Sequence, residues 1–234
     1  MRTLYELADC KGRVALITGG AGHLGRTFGE ALAELGAQVV LADKNRYGAE
    51  DAARQLTERF GVKSLGIGID LAVEKDLKTL PQEIAYQLGG LDILINNAGF
   101  VGTDNLSGWC VPFENQSADT WRMAAEVNMT APFFLVQAAM PFLQARKCGS
   151  VINITSIYAF QGPDMRLYEG TNMGNPAAYA VSKGGLLQAT RWLATVVAPD
   201  VRVNCVSPGG IYRNQPESFV TAYTLRTPLK RMAV

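Results

Sequence analysis

Six short runs of aliphatic and β-branched residues recur along the chain, and several of them show no alternation of apolar and polar side chains. They span residues 14–17, 39–42, 65–69, 93–95, 151–154 and 201–206. Continuous apolar runs of this length are typical of strands that are covered on both faces. The runs therefore predict the strands of a buried parallel sheet.

Helical patterns separate these runs. Apolar residues from Leu24 to Leu35 follow the spacing of one helix face, and Gly36 stands where a helix commonly ends. We predict further helices over residues 49–60, 74–88, 119–145 and 177–197. Strands that alternate with helices predict the α/β class. No repeat, low-complexity tract or linker interrupts the chain, so we expect one domain over residues 1–234.

Composition narrows the range of partners. Lysine and arginine number 22 against 21 acidic residues, and a net charge of +1 gives no long-range attraction for nucleic acid or an anionic membrane. The four cysteines form no CxxC pair and His23 is the only histidine, so we expect no metal site. Because the sequence shows neither a signal-peptide pattern nor an apolar stretch of about 20 residues, we expect a soluble, cytoplasmic protein.

A glycine-rich turn joins the first predicted strand to the first predicted helix, with the sequence TGGAGHLG from Thr18 to Gly25. In the GxxGxxG spacing of Gly19, Gly22 and Gly25, one glycine bends the chain, one lets backbone approach a pyrophosphate, and one lets helix and strand pack closely. The phosphates would face the positive end of the helix. A tight turn without a ligand is the alternative. We expect His23 to lie beside the phosphates and not to be catalytic, because no acidic residue nearby would orient its ring.

Acidic residues follow the next two predicted strands. Asp43 stands 24 residues after Gly19, where a carboxylate can accept the ribose hydroxyls of adenosine and repel a 2′-phosphate. This favours NAD over NADP, although Lys44 and Arg46 can neutralise a phosphate, and Asp43 can also serve as a turn residue. Asp70 follows the third strand, where it can contact the adenine edge or cap a helix.

Tyr179 and Lys183 lie four residues apart in the last long predicted helix. Side chains at this spacing share one helix face, with Cβ atoms about 6 Å apart. A neighbouring ammonium group would lower the pKa of the phenol, so that Tyr179 could donate and accept a proton near neutral pH. Ser156 ends the fifth predicted strand. Because side chains alternate along a strand, we expect only one of Thr155 and Ser156 to face the site.

Several motifs follow one another along almost the whole chain: the glycine turn, Asp70, the NNAG segment at 96–99, Asn128, Ser156, the Tyr179/Lys183 pair and Ser207-Pro208-Gly209. Together they resemble the short-chain dehydrogenase/reductase family. The resemblance implies a Rossmann-type doubly wound parallel sheet in three α/β/α layers, with strand order 3-2-1-4-5-6-7. It also implies an oxidoreductase that uses NAD(H) or NADP(H) to interconvert alcohols and carbonyl compounds.

The resemblance implies which residues contact the cofactor. These are Gly19, Gly22, His23, Leu24, Gly25, Asp43, Asp70, Leu71, Asn97, Ala98, Gly99, Tyr179, Lys183, Pro208, Gly209 and Ile211. Asn97-Ala98-Gly99 would line the cofactor at the end of the fourth strand, and Pro208-Gly209 would lie on its nicotinamide side. NAD is the expected cofactor, with NADP less favoured.

The resemblance also implies four catalytic residues, Asn128, Ser156, Tyr179 and Lys183. Tyr179 would exchange a proton with the substrate oxygen, and Ser156 would hold that oxygen as charge develops on it. Lys183 would lower the pKa of Tyr179 and bind the nicotinamide ribose. Asn128 would bend its helix and hold a water that relays protons to Lys183. A buried asparagine that only satisfies a backbone group is the alternative.

Two loops are candidates for the substrate pocket. Residues 161–176 lie between Ser156 and Tyr179 and would form one wall of it, or a solvated excursion. Polar residues in this segment favour a hydroxyl-rich substrate; they are Arg166, Tyr168, Glu169 and Asn172. Residues 210–216 would form a mobile lid. The chain ends 28 residues after Val206, so we expect the family's C-terminal helix and seventh strand to be missing.

The sequence thus predicts an NAD(H)-dependent oxidoreductase that interconverts a secondary alcohol and a ketone. AAYAVSKGGL and SPGGIYRNQPE are similar to segments of bacterial family members in surface-glycan biosynthesis, which suggests a sugar-derived substrate. A non-catalytic dinucleotide sensor or scaffold is the alternative, but such a protein would be expected to lose part of the Ser/Tyr/Lys set. An epimerase or dehydratase would need a larger C-terminal domain. We expect a small-molecule substrate and a homodimer or homotetramer.

Overall fold

The computed structural model describes residues 3–101 and 106–234, so residues 1, 2 and 102–105 of the predicted domain lie outside the described part. The strands in it are β1 (Val14–Thr18), β2 (Gln38–Asp43), β3 (Ser64–Gly68), β4 (Ile93–Asn96), β5 (Gly149–Ile154) and β6 (Val201–Val206). The α-helices are α1 (Leu4–Ala8), α2 (His23–Glu34), α3 (Arg46–Phe60), α4 (Glu74–Leu88), α5 (Ala118–Ala125), α6 (Ala131–Ala145), α7 (Ala177–Val196) and α8 (Glu217–Arg226). The predicted α/β class is confirmed.

The strands form one parallel sheet in the order β3-β2-β1-β4-β5-β6. From β1 the chain builds outward through β2 and β3, and then returns to place β4 on the other side of β1. In a sheet of this kind a crevice opens at the carboxyl ends of the strands, where the strand order reverses. The prediction of a Rossmann-type doubly wound sheet is confirmed for its first six strands.

A separate apolar cluster packs on each face of the sheet. Helices α2 and α3 cover one face, and helices α4, α6 and α7 cover the other. Along β1, Val14 and Leu16 belong to one cluster, whereas Ala15 and Ile17 belong to the other. Both faces of the central strands are therefore buried, which explains the missing alternation of polar residues in the sequence.

Two elements differ from the sequence prediction. The helix predicted over 119–145 is divided by a π-helical turn, Glu126–Thr130, which lies between α5 and α6. Strand β6 lies at the edge of the sheet and is covered on one face only, since Arg202 and Asn204 are exposed. Its sequence VRVNCV alternates accordingly.

The C-terminal segment packs beside the sheet. Helix α8 contacts a 3-10 turn at Met165–Tyr168 through a small cluster that contains Leu167, Phe219 and Met232. Ile211 forms an isolated parallel bridge with Ala233. Among the helices of the described ranges, none is both long enough and apolar enough to cross a membrane.

A buried carboxylate anchors the sheet at the end opposite the crevice. Asp92, just before β4, is 4% exposed. Its Oδ2 accepts a hydrogen bond of 2.8 Å from the amide of Val14, and Nε of Arg146 lies 3.6 Å from Oδ1. Asp92 therefore joins the start of β1 to the start of β4 and to the C-terminal end of α6.

We expect Asp92→Ala to lower the free energy of unfolding by about 2–4 kcal/mol, because it leaves a buried amide without its acceptor and Arg146 without its partner. Urea denaturation measures the change. The matched control is Asp200→Ala at an exposed position before β6, which should stay within about 0.5 kcal/mol of the unchanged protein. Equal effects of the two substitutions would contradict an anchoring role for Asp92.

Candidate active site

A cleft of about 540 Å³ opens at the carboxyl ends of the strands, beside the reversal in strand order. The sequence-predicted residues that line it are Gly19, Gly22, His23, Leu24, Asp43, Asn97, Ala98, Gly99, Ser156, Tyr179, Lys183, Pro208, Gly209 and Ile211. An adjoining cavity of about 670 Å³ shares Gly19, Asp43, Ala98 and Gly99 with the cleft and adds Asp70 and Leu71. Gly25 and Asn128 are buried and line neither cavity.

The glycine turn leaves the backbone at the start of α2 uncovered by side chains. Gly19 has φ +65°, and a Cβ there would lie 2.8 Å from Cα of Ala98. A Cβ on Gly25 would overlap the carbonyl oxygen of Gly19, so this glycine permits the close packing of α2 on the turn. Gly22 is exposed and precedes α2 without a side-chain cap. The first amide N–H groups of α2 can therefore receive an anion such as a pyrophosphate.

Asp43 closes the turn that follows β2. Its Oδ2 accepts a 3.0 Å hydrogen bond from the amide of Ala21, and its Oδ1 accepts one of 2.9 Å from the amide of Asn45. These are the contacts of a turn residue, and they also fix the carboxylate at the mouth of the cleft. Each carboxylate oxygen retains a second lone pair that can accept a ribose hydroxyl.

The two cations after Asp43 have carboxylate partners. Nζ of Lys44 lies 3.1 Å from Oδ2 of Asp70, and Nε of Arg46 lies 2.7 Å from Oε1 of Glu50. Both pairs are exposed to solvent, so they contribute little to stability. In both pairs, however, the cationic group of Lys44 or Arg46 contacts a carboxylate of the protein.

Asp70 does not cap a helix, contrary to one of the two alternatives that the sequence left open. Helix α4 has Val73 at its N-cap position and no side-chain cap. Instead, Oδ1 of Asp70 accepts a 3.0 Å hydrogen bond from the amide of Ala72. This bond, followed by the contact with Lys44, lowers the pKa of Asp70.

Ser156 lies just beyond the end of β5 and is 6% exposed. Its Oγ accepts a 3.2 Å hydrogen bond from the amide of Tyr158 and lies close enough to Tyr179 to lower the pKa of that phenol. Thr155 and Ser156 both line the cleft beyond the end of β5. The Thr155 hydroxyl donates to the carbonyl of Val206 and contacts Oγ of Ser207 at 2.6 Å, so it is bound at the end of β6, and only the Ser156 hydroxyl acts on Tyr179.

Tyr179 and Lys183 share one face of α7, and Nζ of Lys183 lies 6.0 Å from the centre of the Tyr179 ring. Nζ donates a 2.8 Å hydrogen bond to the carbonyl of Ile154, and burial lowers the pKa of Lys183 to about 8. Burial raises the pKa of Tyr179, and the contact with Ser156 opposes this only in part. The expected lowering by Lys183 is therefore corrected: its ammonium group faces Ile154, and desolvation has the larger effect on the phenol.

Asn128 occupies the centre of the π-helical turn and is fully buried. Its Oδ1 accepts a 2.6 Å hydrogen bond from the amide of Phe100, and its Nδ2 donates to Oγ of Ser182 at 3.1 Å. A Cβ on Gly99 would lie 3.6 Å from Nζ of Lys183 and 3.7 Å from Oδ1 of Asn128. Asn128 thus satisfies a backbone group, as the alternative suggested, and, like Lys183, it borders the space beside Gly99.

The 161–176 segment lies partly at the cleft and partly in solvent. Of the four polar residues of the 161–176 segment, only Tyr168 lines the cleft; Arg166 pairs with Asp164, and the other two are exposed elsewhere. Arg213 and Gln215, from the 210–216 segment that the sequence placed at the pocket, also line the cleft, whereas Tyr158, Phe219 and Tyr223 were missed. One feature of the sequence could have indicated that Tyr158 lies in the cleft, namely its position two residues after Ser156.

Comparison with known proteins agrees with this geometry. A family model described as short chain dehydrogenase matches residues 13–219. The chain is 32% identical to a 3-oxoacyl-(acyl-carrier-protein) reductase of Aquifex aeolicus over 226 residues, which cover 94% of this chain and 84% of that protein. It is 31% identical to an L-fucose dehydrogenase of Mus musculus over 232 residues, with 94% and 77% covered.

Solved structures give the same result. An NAD⁺-bound xylitol dehydrogenase superposes with a TM-score of 0.84 at 25% identity, over 95% of this chain and 87% of that one. An L-sorbose reductase of Gluconobacter frateurii, in complex with NADPH and L-sorbose, has a TM-score of 0.82 at 28% identity, with 97% and 86% covered. The chain belongs to the short-chain dehydrogenase family, whose members are oxidoreductases of alcohols and carbonyl compounds that use a nicotinamide dinucleotide.

Proposed function

We propose that the chain is an NAD(H)-dependent enzyme that interconverts a secondary alcohol and a ketone on a polar, sugar-derived substrate, with Tyr179 as the acid and base. One observation carries the proposal: Ser156, Tyr179 and Lys183 line a single cleft together with the glycine turn that precedes α2. We propose further that residues 1–234 form one domain with both cofactor-binding and catalytic functions.

The residues of the cleft fit a nicotinamide dinucleotide. Gly22 and the start of α2 offer backbone amides to the pyrophosphate, and Asp43 offers acceptors to the adenosine ribose. Pro208 and Gly209 lie at the end of the cleft that contains Tyr179. When bound there, the nicotinamide would give or take the hydride.

The side chains of the cleft provide the proton. Because burial raises the pKa of Tyr179, its phenol is protonated near neutral pH and can donate to a ketone oxygen that Ser156 also holds. Lys183 supplies positive charge beside the phenol and is held by the carbonyl of Ile154. Asn128, whose Oδ1 faces the same space beside Gly99, would hold a water that connects Lys183 to solvent.

Relatives and the lining of the cleft support a sugar-derived substrate. The names or titles of three similar proteins specify L-fucose, xylitol and L-sorbose. In this chain, Tyr158, Tyr168 and Tyr223 place phenol groups along the part of the cleft that adjoins Ser156. Phenol rings offer both an apolar face and a hydroxyl group, a combination that suits a sugar.

Exposed aromatic residues support the expected homo-oligomer. Trp121 on α5, Phe134 on α6 and Trp192 on α7 are each more than 40% exposed. Large apolar side chains grouped on neighbouring surface helices are typical of protein–protein contacts. We propose that a second copy of the chain covers them.

Tyr179→Phe removes only the phenol hydroxyl, so we expect kcat to fall by about 10²–10⁴-fold while the affinity for NADH changes by less than about twofold. The absorbance of reduced nicotinamide follows turnover, and fluorescence titration follows binding. Tyr86→Phe, at an exposed position on α4, is the matched control. A protein that binds NADH but turns over no alcohol or ketone, with or without the substitution, would instead be a sensor or scaffold.

The lowered pKa of Lys183, about 8, predicts a pH dependence. Below that value the ammonium group is charged, so kcat/KM for ketone reduction should be constant near neutral pH and should fall as Lys183 loses its proton. Alcohol oxidation should rise only at more alkaline pH, because Tyr179, whose pKa is raised by burial, must first lose its own proton. Profiles of both directions test this. A reduction rate that increases through pH 8 would contradict the assignment.

The environment of Asp43 predicts a preference for NAD. Its carboxylate would repel a 2′-phosphate, and the nearby Lys44 and Arg46 are paired with Asp70 and Glu50. We expect kcat/KM to favour NAD over NADP by about tenfold or more, and Asp43→Asn to reduce this ratio about tenfold by removing the charge alone. Asp200→Asn is the control. A wild-type preference for NADP would overturn the assignment.

A further inference from the structure

Two phenol groups form a hydrogen-bonded pair on the substrate side of the cleft. The hydroxyls of Tyr158 and Tyr168 lie 3.1 Å apart, and both residues line the cleft together with Ser156 and Tyr179. The chemistry proposed above uses neither hydroxyl. The pair is therefore available for another role.

The pair retains unused hydrogen-bonding capacity. Two phenols carry two O–H donors, and their mutual hydrogen bond uses one donor and one acceptor. Within residues 3–101 and 106–234, neither hydroxyl makes a second hydrogen bond to the protein. Burial and the bond to Tyr168 raise the pKa of Tyr158, so this phenol stays protonated. The pair can donate one hydrogen bond and accept others at once, which are the bonds that an alcohol group forms.

Contacts with the protein hold the pair in place. The amide of Tyr158 donates to Oγ of Ser156 at 3.2 Å, which fixes the backbone of Tyr158 relative to the reacting site. The ring of Tyr168 lies 5.5 Å from the ring of Phe219 on α8, and the adjacent Leu167 is buried in the same cluster. A recognition site gains affinity from such preorganisation, because little side-chain entropy is lost on binding.

We propose that the Tyr158/Tyr168 pair is a subsite for a second hydroxyl group of the substrate, beside the oxygen that Ser156 and Tyr179 hold. The substrate class is then a polyol or a polyhydroxylated ketone and not a ketone with a single functional group. The placement of the reacting oxygen rests on the proposed function. The subsite itself rests on the geometry of the pair.

Binding of small probes tests the subsite without relying on turnover. Isothermal titration calorimetry would compare xylitol and ribitol with 1,5-pentanediol, which has five carbons but lacks the three inner hydroxyls. Each titration uses the full chain with saturating NADH, which cannot oxidise a polyol, and again without it. The variants are Tyr158→Phe/Tyr168→Phe and the single Tyr168→Phe, with Tyr86→Phe as the control on an exposed helix position.

We expect the unchanged protein to bind at least one of the two polyols tenfold or more tightly than 1,5-pentanediol. The double variant should lose about tenfold in polyol affinity, since hydroxyl groups that the site recognises lose their partners. The affinity for 1,5-pentanediol and for NAD should change by less than twofold. The single variant should lose a smaller part of the polyol affinity, and the control none.

Three results would overturn the subsite. The unchanged protein could bind all three probes equally or none of them, the double variant could keep its polyol affinity, or polyol and NAD affinity could fall together. The last result would indicate a merely structural pair. Failure of the proposed function has a different signature, namely polyol binding that depends on the pair without reduction of NAD by any polyol.

Discussion

The hydrogen bond from Nζ of Lys183 to the carbonyl of Ile154 joins the two elements on which the site depends. Ile154 is the last residue of β5, and Ser156 follows two positions later, whereas Lys183 lies one helical turn after Tyr179 on α7. The bond therefore sets where the phenol lies relative to the serine. Because the ammonium group is buried, this arrangement costs desolvation energy, which is why the pKa of Lys183 falls to about 8.

A network of buried side-chain hydrogen bonds also connects the sheet to α7, the helix that carries Lys183. Nδ2 of Asn96 donates to Oδ1 of Asn153, and Nδ2 of Asn153 donates to Oγ1 of Thr190, both at 2.8 Å. These residues belong to β4, β5 and α7, so side-chain hydrogen bonds connect the sheet to the helix that carries Tyr179 and Lys183. On the other side, Asn128 links the end of β4 to α7 through Phe100 and Ser182. Buried side-chain hydrogen bonds of this kind favour one rigid arrangement, although Oδ1 of Asn96 has no hydrogen-bond partner in the described part of the chain.

The expectations that failed share a physical cause. The helix predicted over 119–145 was continuous, but a π-helical turn interrupts it where Asn128 bonds to Phe100 and Ser182, contacts that helical periodicity does not show. The pKa of Tyr179 was expected to fall because helix spacing brings Lys183 close, yet spacing along one helix contains no information on desolvation or on a carbonyl from another strand. Asp70 was a possible cap on its residue type alone, but α4 begins at Glu74 and Val73 occupies its N-cap position.

The sequence by itself determined the alternation of strands and helices, the glycine turn at the start of α2 and the pairing of Tyr179 with Lys183, since each depends on neighbours within a few residues. Covered strands also required a parallel sheet with helices on both faces. Only the tertiary structure decided which polar residues enter the cleft. Tyr158, Tyr168 and Phe219 come from separate segments that meet through packing of α8 on the 161–176 segment, and no local pattern encodes such a contact.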